Sequence, residues 1–546
     1  MEQIKISKDQ IKVSASMMSP LEVAYQLLIM LVVPLLLLHS ASRSASHRRP
    51  SNEDGSTAQK LPPSPPALPI IGHLHLVGAL PHVSLRDLAA KHAGGGLMLL
   101  RLGTVPNLVV SSPRASQAIM RTYDHIFASR PTTALTNTLL YSSSDIALAP
   151  YSEHWRRARK LVTAHLFTVK KVHSYRHGRK EEVRLVMDKI REAAAASTAV
   201  DIGEMMNTFA NDIISRAVSG KFFRLEGRNK LFRELINTNS VLLGGFNLED
   251  YFPILARSLG FLTRWFLRNR VHEAHERWDE LLEKIISDHD RRKSMHGDHD
   301  QESDFTDVLL SVQQEYGITR DHIKAILMDM FGAGTDTSSS VLEFAMVELM
   351  RNPWVMTKLQ GDVRRHVPEG HETVEEENLA SMVYLRAVVK ETLRLHPPAP
   401  LLLPHISMAD CVVDGYTIPS GIRVIVNTWA ISRDPESWEE PEEFMPERFM
   451  DGGSAAAMDF KGNDFQFVPF GAGRRICPGL NFGFATVEIM LANLMYCFDW
   501  QLPNGMEAKD IDLTEVFGVT VRPKEKLILF PKPRGGHSMQ ITEADP

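Results

Sequence analysis

Apolar residues recur at every third or fourth position through most of the chain, the period of helices that bury one face. The pattern is plain from Glu182 to Ala195, from Arg270 to Asp290 (RVHEAHERWDELLEKIISDHD) and in TVEIMLANLMYCF, Thr486 to Phe498. Two runs rich in β-branched residues and broken by Gly or Pro, Met98 to Ser112 and Cys411 to Ala430, predict hairpins. Together these elements predict a mainly α protein with small β-sheets (α+β), without internal repeats. The charged stretch HDRRKSMHGDHDQESD, His289 to Asp304, breaks the periodicity and predicts a solvated loop between helices.

One apolar pattern is unusually long, running from a cap at Thr319 to Met350. Gly332 and Gly334 interrupt it, each costing about 1 kcal/mol relative to alanine in a helix interior. Two readings compensate for that cost. The small residues let a neighbouring helix pack closely, or they mark a local opening where a ligand approaches the backbone and Asp336 and Thr337 present a carboxylate and a hydroxyl.

Before the first helical pattern lies a different kind of segment. VAYQLLIMLVVPLLLL, Val23 to Leu38, is sixteen residues without charge, close to the roughly 20 needed to span a bilayer. A cleaved signal peptide is the rival reading, with Lys5, Lys8 and Lys12 as its basic region. Two features favour a retained anchor: the proline-dense spacer KLPPSPPALPIIG from Lys60 to Gly72, and the absence of any N-x-Ser/Thr acceptor. The expected organisation is an N-terminal extension over 1–20, an N-terminal transmembrane helix over 21–40, and a basic and Pro-rich linker over 41–72. A catalytic domain over 73–533 and a tail over 534–546 complete it.

Composition narrows the chemistry. With 546 residues, 44% of them hydrophobic, and a net charge of -5, the chain has material for a large core and no basic excess to draw it onto nucleic acid. Its three cysteines, Cys411, Cys477 and Cys497, are too few and too scattered for a disulfide framework or a four-cysteine metal site. Cys477 differs from the other two in its setting, PFGAGRRICPGLNFGFA, between glycines and arginines and just before a helical pattern with Pro478 at its first position. A helix N-terminus and nearby cations favour a thiolate, so Cys477 is a candidate ligand or nucleophile. Flanking glycines suit the close approach of a large flat ligand, and no local signature of a cysteine–histidine enzyme accompanies it.

The spacing Phe470-x-x-Gly473-x-Arg475-x-Cys477-x-Gly479 resembles the haem-binding loop of the haem-thiolate monooxygenases, the cytochromes P-450, of the membrane-anchored plant type. Four further stretches resemble that family in the right order: WRRAR at Trp155–Arg159, AGTDTS at Ala333–Ser338, ETLR at Glu391–Arg394 and FMPERF at Phe444–Phe449. The resemblance implies the cytochrome P-450 fold, haem b with Cys477 as axial thiolate to its iron, and O2 as co-substrate. It implies that Trp155, Arg159 and Arg475 pair with the haem propionates. His405 would do so in place of a more usual arginine. Asp336 and Thr337 would supply protons. Glu391, Arg394 and Arg448 would form a buried structural network.

No dinucleotide or flavin motif is present, so electrons must come from outside the chain, and the resemblance implies that they come from NADPH through a membrane-bound NADPH-cytochrome reductase. Trp155 to Lys180 carries nine Lys/Arg and no Asp/Glu, a candidate docking patch for an acidic reductase or simply a solvated face. The segment Phe252 to Arg270 is read either as a core helix or as a piece that dips into the bilayer. Pocket positions are expected at 130–148, Ile326–Gly332, Ala399–Leu403 and Phe517–Val519, mainly apolar, for a small lipophilic substrate. The resemblance is nearest to grass enzymes that hydroxylate indole-derived benzoxazinoid intermediates. Oxidation of terpenoids or herbicides is the alternative, and a non-catalytic haem-binding sensor or electron carrier is the alternative of another class. The implied location is the endoplasmic reticulum membrane with the catalytic domain in the cytosol.

Overall fold

The structure is a computed structural model that describes residues 60–220, 227–244, 247–258, 260–296 and 303–534, with side chains omitted at 257, 260–269 and 292–296. The anchor reading therefore lies outside the described residues, as do most of the tail and most side chains of the segment read as dipping into the bilayer.

Helices dominate. The longer ones are α1 (Pro81–His92), α2 (Glu153–His165), α3 (Arg176–Ala195), α4 (Ile202–Ser219), α5 (Arg228–Gly244), α6 (Gly260–His296), α7 (Phe305–Tyr316), α8 (Arg320–Arg351), α9 (Pro353–Arg365), α10 (Val383–Leu395) and α11 (Leu480–Cys497). Thr319 caps α8 as expected, accepting from the His322 N–H, and the helix runs unbroken to Arg351 through both glycines. Each glycine answers to one of the two readings. A Cβ on Gly334 would lie 2.8 Å from Ile214 of α4, so close packing of the two helices needs it. A Cβ on Gly332 would meet nothing within 4 Å, because this glycine faces a cavity.

Strands are short and flank the helical body. The first hairpin forms where expected, β1 (Leu97–Leu102) against β2 (Val105–Val110). β7 (Arg423–Val426) adds to β2 in parallel and β4 (His405–Ile406) to β7, giving the order β1-β2-β7-β4. Only the start of the Cys411–Ala430 run is a hairpin, β5 (Cys411–Val413) with β6 (Tyr416–Ile418). Its end caps a helical turn through Asn427, whose side chain accepts from the Ala430 N–H. β3 (Val200–Asp201), β11 (Ile528–Pro533) and β8 (Phe498–Gln501) make a second sheet, and β9 (Glu515–Val516) pairs with β10 (Arg522–Pro523).

The main core lies among α3, α4, α8, α10 and α11. α11 is apolar and long enough to cross a bilayer, yet 72% of it is buried within the protein, where it is a core helix. Phe232 of α5 stacks on Phe331 of α8 with centroids 3.8 Å apart, both fully buried. Truncating either ring would cost about 3–5 kcal/mol.

Two sequence expectations change here. The stretch from His289 to Asp304 is not wholly solvated: α6 extends through it to His296, and buried His289 bonds buried Asp304 at 2.7 Å. That contact satisfies two polar groups the packing would otherwise strand. The Pro-rich stretch from Lys60 to Gly72 is not a free spacer. The Leu99 N–H donates to Pro63 O at 2.8 Å and the His73 N–H to Arg101 O at 2.7 Å, so β1 ties down the stretch at Pro63 and just beyond its end.

Candidate functional site

A cavity of about 370 Å³ opens between α8, α5, the start of α11 and the loops around 146 and 402. The residues expected from the resemblance to hold the haem or supply protons all line it: Trp155, Arg159, Asp336, Thr337, His405, Phe470, Arg475, Cys477 and Gly479. The loop that carries the cysteine is shaped by its glycines. Gly473 sits at φ +65°, and a Cβ there would lie 2.0 Å from Met120 O, so no other residue fits. The Cys477 N–H donates to Phe470 O at 2.9 Å, closing the turn that lifts the sulfur into the cavity. α11 begins at Leu480 with Gly479 as its cap, so Pro478 lies just before the helix rather than at its first position, and the helix starts two residues later than the sequence suggested.

The sulfur's electrostatics also differ from expectation. Burial raises the Cys477 thiol, and the Gly479 N–H and the Arg159 charge offset this only in part. Arg474 and Arg475, adjacent in sequence, point elsewhere: Arg474 to Asp124 on the surface, Arg475 to carbonyls inside. A cationic metal bound at the sulfur would favour the thiolate against this burial.

Beside the cysteine lies a cluster of cations, Arg130 buried and Arg159 and Arg475 partly buried. Arg475 donates to Ala128 O and Ala149 O, each at 2.6 Å, and stacks 4.0 Å above the Trp155 ring. Arg130 donates to Leu403 O at 2.6 Å, Pro404 O at 3.1 Å and Ala147 O at 3.2 Å. Arg159 donates to Ile476 O. Among the described residues no carboxylate bonds any of these guanidiniums. Burial drives Arg475 down to about 9, and burial together with the Arg475 charge drives Arg130 well below the ordinary arginine range. The acid nearest them, Asp145, is itself pushed up to about 6 by burial and accepts from the Leu148 N–H. Such a cluster lacks its anions.

His405 belongs to the same group. Its Nδ1 bonds Phe127 O at 2.7 Å, and burial with the Arg130 charge holds the ring well below its usual range. Neutral His405 thus presents an Nε2 lone pair to the cavity and donates there only when protonated. Trp155 has one donor, and Nε1 gives it to Ile146 O at 3.0 Å; the ring serves as the platform under Arg475.

On the opposite wall, Thr337 Oγ1 donates to Ala333 O at 2.6 Å, and Asp336 Oδ2 accepts from Ser240 Oγ of α5 at 2.7 Å. Burial raises the Asp336 carboxyl, against the Ser240 bond and the Arg522 charge. Sequence reasoning missed Arg130, although it is the single Lys/Arg between Arg121 and Arg156, inside a stretch expected to line the pocket. It also missed the α5 face of Ile236, Asn239, Ser240 and Leu243, because an amphipathic helix reads the same whether it covers core or cavity.

Away from the cavity, the Glu391 network is as expected. Glu391 and Arg394 are fully buried, joined at 2.7 and 2.8 Å, and Arg448 Nε reaches the same carboxylate at 3.2 Å. The basic stretch after Trp155 is partly neutralised: Arg176, Arg179 and Lys180 pair with Glu377, Glu376 and Glu375.

A cysteine set in the wall of a largely apolar cavity, arginines beside it without carboxylate partners, and an open face at Gly332 match an iron porphyrin with two propionates, so fold and site define a haem-thiolate enzyme. Comparison with known proteins agrees. The sequence profile described as Cytochrome P-450 matches residues 62–530, and this chain belongs to that family. It is 54% identical over 509 residues to indole-2-monooxygenase of Zea mays, covering 92% of this chain and 94% of the relative. It is 51% identical over 512 residues to indolin-2-one monooxygenase of the same plant, covering 92% and 94%. A zebra fish cytochrome P-450 solved with progesterone superposes with a TM-score of 0.70 at 26% identity, covering 84% of this chain and 100% of that one. The family makes the protein an oxygenase that uses haem held by a cysteine thiolate, O2 and NADPH-derived electrons delivered by a reductase, with a lipophilic substrate.

Proposed function

We propose that this protein is a monooxygenase that hydroxylates a small indole-derived aromatic in plant specialised metabolism. The observation that carries the substrate class is the identity of 54% and 51% to maize enzymes acting on indole and indolin-2-one, joined to a largely apolar chamber. Haem bound here supplies activation of O2 at its iron. Cys477 is the ligand that holds it, with the Gly479 N–H directed at the sulfur. Arg130, Arg159 and Arg475 would hold its propionates, whose charge would favour the protonated guanidiniums. His405, an acceptor at Nε2 while neutral, would donate to the same carboxylates only once their charge raises its ring enough to take a proton. Phe470 lines the cavity beside the cysteine and packs on Phe460 with centroids 5.5 Å apart.

Asp336, raised by burial, holds a proton at the edge of the chamber, and Thr337 passes one on when its hydroxyl turns from Ala333 O. Apolar side chains such as Val341, Leu403 and Val519 exclude water from the substrate. Residues 21–40 anchor the protein in the endoplasmic reticulum membrane, with the catalytic domain in the cytosol. The unpaired part of the basic face, Arg157, Lys160 and Lys170, receives the reductase, and that encounter weakens with salt.

The test uses reductase-containing membranes. Wild type is expected to give a strongly red-shifted Soret band in its reduced carbon monoxide adduct, to lose it in Cys477→Ser, and to place one atom of labelled O2 in an indolic product. A wild type that turns over terpenoids but neither indole nor indolin-2-one would overturn the substrate class. A Cys477→Ser protein that keeps the red-shifted band would overturn the ligand assignment.

A further inference from the structure

We propose that Asn239 is the hydrogen-bond acceptor for the substrate's ring N–H, and so the residue that selects N–H heterocycles over hydrocarbons of the same shape; this rests on the indole-type reading above. The observation behind it is an unspent polar atom. Asn239 Oδ1 is buried and has no hydrogen-bond partner, and Asn239 lines the cavity. Of the described residues lining that cavity, it alone carries a buried side-chain oxygen or nitrogen without a partner. Several of the chamber's other polar side chains already have partners. Ser240 Oγ bonds Asp336, Thr337 Oγ1 bonds Ala333 O, and Asp329 Oδ2 accepts the Ile146 and Ala147 N–H groups at 2.6 and 3.2 Å.

The position of α5 explains why this amide faces substrate. Phe232 stacks on Phe331, and two turns later Ser240 reaches Asp336, so both ends of this stretch are pinned to α8. Asn239 lies between those anchors, on the face it shares with Ile236 and Leu243. In the same cavity, Gly332 leaves open space: a Cβ there would meet nothing within 4 Å. A buried amide oxygen without a partner is costly, and a ligand that supplies one N–H removes the cost, whereas a ligand without it leaves the oxygen stranded. Swapping the amide's two ends does not change the conclusion that this side chain has hydrogen-bonding capacity to spare. Flat aromatic bodies with one ring N–H satisfy the apolar walls and the single amide together.

The experiment compares indole with indene, which has the same outline and no N–H, on the haem-loaded full-length enzyme in reductase-containing membranes. Spectral titration gives the dissociation constants, and product formation gives kcat/KM. Wild type is expected to bind indole roughly tenfold more tightly than indene. Asn239→Leu, of similar volume and better helix propensity, is expected to abolish that ratio by weakening indole alone, with haem content unchanged. Equal affinity of wild type for the two ligands overturns the proposal without any variant being needed. Equal weakening of both ligands in Asn239→Leu also overturns it, because that pattern is lost packing. A wild type that neither binds nor oxidises indole and indolin-2-one refutes the indole-type reading itself, and the role of Asn239 with it.

Discussion

Replacing Glu391 by alanine tests the network that braces the segment leading to the cysteine loop. The carboxylate accepts four hydrogen bonds: Arg394 Nε at 2.7 Å, Arg394 Nη2 at 2.8 Å, the Met445 N–H at 2.8 Å and Arg448 Nε at 3.2 Å. All three charged groups are essentially inaccessible. Removing the carboxylate leaves two buried guanidiniums with only carbonyls as partners, those of Ser432, Pro441 and Glu443 for Arg394 and of Glu439 and Glu440 for Arg448. Breaking a buried pair in this way costs about 3–5 kcal/mol, and stranding the Met445 N–H adds about 1–3 kcal/mol. That loss is comparable with the whole stability of a typical domain, about 5–15 kcal/mol.

Glu391→Ala should therefore accumulate as apoprotein or not at all, and Glu391→Gln, which keeps one acceptor oxygen and the volume, should lose less. The assay is haem content per unit protein from the carbon monoxide difference spectrum, with thermal melting of whatever folds. Turnover per haem should be near normal in any loaded fraction. A Glu391→Ala protein with full haem, the wild-type melting point and no activity would refute the reasoning and move Glu391 into the chemistry.

Two other outcomes follow from the cavity and its surroundings. Arg130→Met should lower haem affinity by roughly tenfold or more, the worth of a charge-assisted bond to a carboxylate. Arg474→Met should not, because that side chain is half-exposed on Asp124; haem-transfer titration distinguishes them, and equal losses would refute the propionate assignment. Burial would raise the Glu515 carboxyl, but His396, 3.7 Å away, and the hydrogen bond from His82 at 2.8 Å outweigh it and hold it at about 2. A depressed carboxyl stabilises the fold above its unfolded value of about 4.3 and loses that contribution as pH falls through the folded one. Glu515→Gln should thus melt below wild type at pH 6, with the gap closing between about pH 4.3 and about 2; a gap constant with pH would refute the pairing.

The linear order of residues settled the chemistry at Cys477 and the helical character of the body, because both are local. A glycine-shaped turn needs particular residues at fixed spacing, as at Gly473, and an amphipathic period is written in consecutive positions. Trp155, Arg159, Asp336, Thr337, His405, Phe470, Arg475, Cys477 and Gly479 could all be named for the same reason, and they line one cavity. What each of them does there was decided by partners far away in sequence. Trp155 gave its one donor to Ile146 O, His405 was fixed by Phe127 O as an acceptor at Nε2, and burial reversed the thiolate preference expected for Cys477. Arg130 and Asn239 were not legible beforehand, since nothing adjacent to either one shows that it is buried against a cavity with bonding capacity to spare. Burial and the pairing of polar groups are properties of surfaces brought together, and only the packing of α5 and α8 with the loops around 146 and 402 creates them.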